Sequence, residues 1–173
     1  MADQEPTSGG NGADNTQPQV SILAQYVKDL SVENPSAPQV YSWQVQPNLD
    51  VQFNLNVQGA GEGVHEVSLK FDISARSENG VHFVVDLTFA GLFALRNLPD
   101  EALPPFLMIE APRLLFPFAR QVISEAVANT GFPPLLLDPI DFAAAYMAQV
   151  EAAQQQQAQG PLGPTGQPAP EEA

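Results

Sequence analysis

Three segments of this chain alternate apolar and polar residues with a period of two. Val51, Phe53, Leu55 and Val57 oppose Asp50, Gln52, Asn54 and Asn56. Val67, Leu69, Phe71, Ile73 and Ala75 oppose Ser68, Lys70, Asp72 and Ser74. Val81, Phe83, Val85, Leu87 and Phe89 oppose His82, Val84, Asp86 and Thr88. Successive side chains of a strand point to opposite faces, so this pattern predicts strands with one dry and one wet face. Such strands belong in an antiparallel sheet. A weaker strand over about 20–33 precedes them. Turn residues separate the runs: Asn34-Pro35 through Pro38, the Gly59–Gly63 stretch, and Ser77 through Asn79-Gly80, a hairpin marker. The expected sheet is a four-stranded antiparallel meander.

The pattern changes after Phe93. Residues 94–112, with Pro99, Pro104, Pro105 and Pro112, read as irregular. A helix is expected over about 113–129, with Pro117 in or near its first turn and Gly131 as its stop. A second helix is expected over 141–150, with Asp138 as N-cap and Pro139 at the first helical position. Between them lies GFPPLLLDPI (131–140), a proline-broken run too apolar for an ordinary solvated linker. Strands first and helices after them give an α+β domain, the two helices on one face of the sheet.

The outer segments differ. Residues 1–19 and 151–173 are rich in Gly, Pro, Gln and acids and read as disordered tails around a single domain over 20–150. Six Lys+Arg against twenty Asp+Glu leave a net charge of −14. That field disfavours nucleic acid and anionic membrane and favours a basic partner. The chain has no cysteine, which excludes thiolate catalysis and Cys-based zinc sites. No run is long enough to insert into a membrane. These features agree with a cytoplasmic protein.

Chemistry is sparse. No nucleophile elbow, P-loop or dinucleotide fingerprint occurs, and Gly59-x-Gly61-x-Gly63 lies between strands as a loop. His65 and His82 read as solvated strand histidines without metal partners at suitable spacing. The carboxylates are scattered and read as a solvated face. Asp29 and Glu33 fall on one side of the first strand, about 13 Å apart at roughly 3.3 Å per residue. The reading is of a non-enzyme without cofactor or metal that offers apolar surface.

YVKDLSVENPSAP (26–38), LLFPFARQVIS (114–124) and GFPPLLLDPIDFAAAYM (131–147) together resemble SecB, the bacterial protein-export chaperone family. The resemblance covers about residues 20–150. It implies an ATP-independent holdase, a homotetramer built as a dimer of dimers. Such a protein keeps secretory preproteins unfolded and delivers them to the SecA motor. It also implies that the zinc-containing basic C-terminal tail of SecA docks on Asp29, Glu33, Val84 and Asp86. Asp86 stands where the family commonly has Glu. The strand around Val85, Leu87 and Phe89 resembles the part that supports oligomer assembly, with Phe89 bulkier than the polar residue expected there. Trp43, Phe53, Leu137, Phe142 and Met147 are the expected lining of the client groove, from apolarity and family analogy. The alternative is a small-ligand-binding protein with an apolar pocket between sheet and helices.

Overall fold

The computed structural model describes residues 16–158. Four strands form one antiparallel sheet: β1 (Gln19–Glu33), β2 (Asn48–Gly61), β3 (Val64–Ser77) and β4 (Gly80–Arg96). They stand in the order β1-β4-β3-β2. The antiparallel sheet is as expected, and β2, β3 and β4 are joined by hairpins. The meander order is corrected at β1, which pairs with β4 and not with β2. This is Greek-key order. Alternation encodes which face a residue takes, and it carries no information on which strand lies beside which. The chain between β1 and β2 therefore crosses the end of the sheet, through a 3₁₀ turn at Gln39–Ser42.

Register follows the apolar pattern. Phe53 pairs with Phe71, and Phe71 with Leu87. The dry face of β3 and β4 is closed by helix α1 (Ala111–Asn129), which places Leu115, Phe116, Ala119, Ile123 and Val127 in the core. The helix comes close at Gly91, where an added Cβ would stand 2.7 Å from Leu115 Cδ2. Any larger residue there would force Leu115 and the Phe93 ring to shift.

Two expectations about the helices are corrected. Helical structure begins at Leu103, not near 113, with a short α turn (Leu103–Pro105) and a π turn (Phe106–Glu110) leading into α1. Pro104, Pro105 and Pro112 sit at starts of helical segments, where a missing N–H costs little. Pro117 lies inside the helix, beyond its first turn. The second helix, α2, spans Phe142–Ala158. Its cap is Asp141, whose Oδ1 accepts from Ala144 N–H at 2.9 Å, and not Asp138. Because α2 runs to Ala158, helix replaces the expected disorder from 151 to that point. Residues 1–15 and 159–173, the remainder of the expected tails, lie outside the described residues.

The width of one helix decides what the sheet leaves open. A helix with its side chains is about 10–12 Å across, and strands stand about 4.8 Å apart. One helix thus covers two strands, here β3 and β4. On edge strand β1, Val20, Ile22, Val27 and Leu30 keep the parity of the core yet stay exposed. On edge strand β2, Leu49, Val51 and Phe53 do the same.

The outer face is held differently. Glu66 of β3 is nearly buried there. It accepts from Tyr26 Oη and Lys28 Nζ of β1, the latter at 2.6 Å, and from Gln58 Nε2 of β2 at 2.8 Å. Tyr26 and Lys28 reach it across β4, so one carboxylate of β3 ties β1 and β2 together over the strand between. Lys28, then Tyr26, hold the Glu66 carboxyl below its ordinary value of 4.5. The same bond, with burial, pushes the Tyr26 hydroxyl up to about 12.

Two outcomes follow for stability. Phe71 is fully buried between Phe53 and Phe116, at ring distances of 6.4 and 6.2 Å. Phe71→Ala should cost about 3–5 kcal/mol in urea denaturation. A depressed carboxyl stabilises the fold above its unfolded pKa, and that contribution is lost as pH falls through the folded value. Tyr26, being raised, contributes fully below 10 and loses its share as pH rises through about 12. The stability gap between the unaltered chain and Glu66→Gln should therefore be flat between about pH 6 and 9 and shrink below 4.5. A gap that does not change with pH would remove the clamp's charge from the account.

Candidate functional site

The uncovered side of β2 forms one wall of an apolar groove of about 440 Å³. Leu49 supplies that wall, continued by Tyr41, Trp43 and Val45 of the β1–β2 crossing. The opposite wall is the strap between the helices, through Phe132, Pro133, Pro134 and Leu135. Ala75, His82 and Phe83 lie beneath. Neither a carboxylate nor a Lys or Arg lines it. A second, smaller hollow of about 210 Å³ lies further along β2, between Phe53, Leu55, Met108, Phe142 and Tyr146. The π turn delivers Met108 to it. Both hollows therefore share one edge strand.

The strap holds its line by side chains. Leu137 is buried, and so is Phe142, just past the strap's end. Phe132 packs on Phe83 at 5.5 Å and His82 at 5.9 Å. Gly131, at φ +86°, turns the chain out of α1 in a conformation that favours glycine.

His82 is not a solvated strand histidine. It is 4% exposed, edge-on to Trp43 at 5.1 Å, with a ring nitrogen 2.9 Å from Ser77 Oγ. The register of β4 slips beside it, since Ala75 pairs with Phe83 but Arg76 with Val81. This bulge turns His82 to the side of Phe83, against the alternation of the sequence.

Of the expected groove residues, Trp43 and Phe53 lie in the two hollows. Leu137 and Phe142 are corrected from open lining to core anchors, since both are buried beneath the strap, though Phe142 also borders the second hollow. Met147 is exposed and borders neither hollow. Tyr41, Leu49, Phe132 and Leu135 were not legible as lining. The aromatic cluster Tyr41–Trp43 beside a proline turn was the available signal.

The expected acidic surface is brought together on the outer face. Glu33 pairs with Val84, Ser31 with Asp86 and Asp29 with Thr88. Asp86 Oδ2 stands 3.6 Å from Lys70 Nζ, which Asp72 also approaches at 3.6 Å. Asp72, then Asp86, raise the Lys70 ammonium above its ordinary value. These are exposed pairs and contribute little to stability.

Val85, Leu87 and Phe89 are corrected. Their parity places them under α1 in the core; Val85 and Leu87 are fully buried and offer no face to another copy, while Phe89 reaches only the floor of the cleft beside β1. Exposed apolar surface lies instead along β1, at Ile22, Leu23, Val27 and Leu30, and on α1 at Leu114 and Phe118. An open cleft of about 660 Å³ runs between them, bordered by Ile22, Phe89, Phe118 and Val122. Among the described residues, no cluster of His, Asp and Glu could hold a metal ion, and no helix is long and apolar enough to cross a membrane.

The site is thus an open, uncharged groove between the edge of an antiparallel sheet and a proline-broken strap. The comparisons give the chain a family. Residues 13–154 match the family model for preprotein translocase subunit SecB. The chain is 51% identical to protein-export protein SecB of Sphingopyxis alaskensis, over 94% of this chain and 93% of that protein. It is 58% identical to the SecB of Zymomonas mobilis, over 78% and 82%. In fold it resembles a SecB-like chaperone of Mycobacterium tuberculosis solved in complex with an antitoxin peptide, at TM-score 0.57 and 17% identity, covering 70% of this chain and 90% of that one. The chain belongs to the SecB family, and it is a protein-export chaperone.

The groove predicts its own ligand chemistry. N-phenyl-1-naphthylamine, an uncharged apolar fluorophore, should seat there and take energy from Trp43. Leu49→Asp, which sets a carboxylate against the ligand, should weaken that binding by about ten-fold or more. Undiminished binding would place the apolar site elsewhere.

Proposed function

We propose that this chain is an ATP-independent holdase that keeps secretory preproteins unfolded in the cytoplasm and delivers them to the SecA motor. The observation that carries this reading is the open, uncharged groove along β2. An unfolded chain offers scattered apolar side chains in many sequences, and apolar walls with a strap of few backbone bonds tolerate that variety. A small-ligand protein would enclose its ligand. Here both hollows are open along the edge of the sheet.

The SecA partner belongs on the other face. Asp29, Glu33 and Asp86, with Val84 as apolar neighbour, form an acidic surface suited to the basic, zinc-containing SecA tail. It lies on the opposite side of the sheet from the groove, so client and motor can be held together. Assembly as a homotetramer, a dimer of dimers, is supported by the exposed apolar residues of β1 and α1 rather than by Val85, Leu87 and Phe89. Several copies bring several grooves to one client, which strengthens weak contacts through avidity.

Without nucleotide, the purified chain should suppress aggregation of a slow-folding precursor, and Leu49→Asp should suppress it poorly. Asp29→Lys and Glu33→Lys should weaken SecA-tail binding, as should added salt, while leaving client binding nearly intact. Calorimetry with the tail peptide and light scattering of the precursor read the two separately. Equal loss of both activities in the charge variants would contradict separate sites.

A further inference from the structure

The strap is fastened at its first residues by groups that belong to the groove itself. Tyr41 Oη donates to the Thr130 carbonyl at 2.6 Å. Asn34 Nδ2 donates to the same carbonyl at 3.2 Å and to Tyr41 Oη at 2.8 Å. The Tyr41 ring lies against Gly131, where an added Cβ would stand 3.1 Å from it. It also packs on Phe132 at 5.8 Å. Thr130 and Gly131 are the turn at which the strap leaves α1.

Tyr41 is not a core residue. It is 55% exposed, yet its hydroxyl is engaged on two sides. It lines the groove, so a client side chain entering there meets the residue that fastens the opposite wall. Beyond this fastening, no turn or loop backbone hydrogen bond involves residues 132–140. The strap is thus pinned by a polar bracket at one end and by buried Leu137 and Phe142 toward the other.

We propose that Tyr41, seated by Asn34, is a positioning residue that latches the strap at Thr130–Gly131 and sets the width of the empty groove. This rests on the groove being the client site. With the latch closed, the Phe132–Leu135 wall stands near Trp43. With it open, the Thr130–Gly131 turn at the end of α1 is released, and the strap that follows moves off Trp43 and admits bulky side chains. Client binding then takes the open form, and the latch lowers the fraction of protein competent to bind.

The chain contains one tryptophan, Trp43, and it lies in the groove, so its fluorescence reports on this site alone. The test compares the full unaltered chain with Tyr41→Phe, which keeps the ring and removes the hydroxyl, and with Asn34→Ala. Acrylamide quenching of Trp43 is measured in the empty proteins. Stopped-flow binding is measured with a peptide of about 20 residues that alternates Phe with neutral polar residues.

Each variant removes two of the bracket's three hydrogen bonds and leaves one to the Thr130 carbonyl, so both should raise the quenching constant and speed association by about five-fold or more. Dissociation should stay unchanged, because the latch is already broken in the bound form. Unchanged quenching in both variants would overturn the proposal. So would faster dissociation without faster association, the mark of a groove merely loosened. A peptide that leaves Trp43 emission of the unaltered chain unchanged would instead contradict the groove reading. The quenching of the empty proteins decides the latch in that case as well.

Discussion

One helix can cover two strands, and this sheet has four. That mismatch organises the molecule. Helix α1 closes β3 and β4 into a core in which Phe71, Phe93 and Leu69 are fully buried. The inward residues of both edge strands are left over. On β1 they make an apolar margin continuous with the exposed side of α1. On β2 they make a groove, because the strap and α2 approach that strand without sealing it. A wider helical layer would give a more stable monomer with nothing to offer a client.

The outer face shows the same economy with charges. An edge strand such as β1, with its dry side uncovered, gains little from burial. Glu66 compensates by drawing Tyr26, Lys28 and Gln58 onto one carboxylate across the full width of the sheet. Away from that clamp Asp29 and Glu33, with Asp86 paired only loosely to Lys70 at 3.6 Å, carry the acidic surface. Acidity serves structure at one end of the face and, in the proposed function, recognition at the other. The net charge of −14 also keeps a protein with exposed apolar margins dispersed.

Much of this was legible in the residues. Alternation gave β2, β3 and β4 with their faces, and spacing put Asp29 and Glu33 on one side; Asp86 joined them only through the family resemblance. Strand order was not legible, because β1 alternates no differently whether it lies beside β2 or β4. The helical start at Leu103 was hidden by prolines that read as breakers but sit in first turns. Asp138 and Asp141 both precede a helix, and only the packing of Phe142 decides that the second one caps it. His82 lies on the polar parity of its strand and is buried by a bulge that no local pattern announces. Leu137 and Phe142 are apolar, as lining residues are, and the strap's path makes them anchors. The groove itself joins positions 41–49 with 132–135, and a contact across that distance has no local signature.

The central claim is that the space left over at β2 holds the client, while the outer acidic face stays free for a different partner. Site-specific photo-crosslinking tests it most directly. A photoreactive amino acid is placed at position 49, on the groove wall, and separately at position 86, on the outer face, and each chain is irradiated with an unfolded precursor. The account predicts strong crosslinks from position 49 and few from position 86. Strong crosslinks from position 86 with few from position 49 would contradict it.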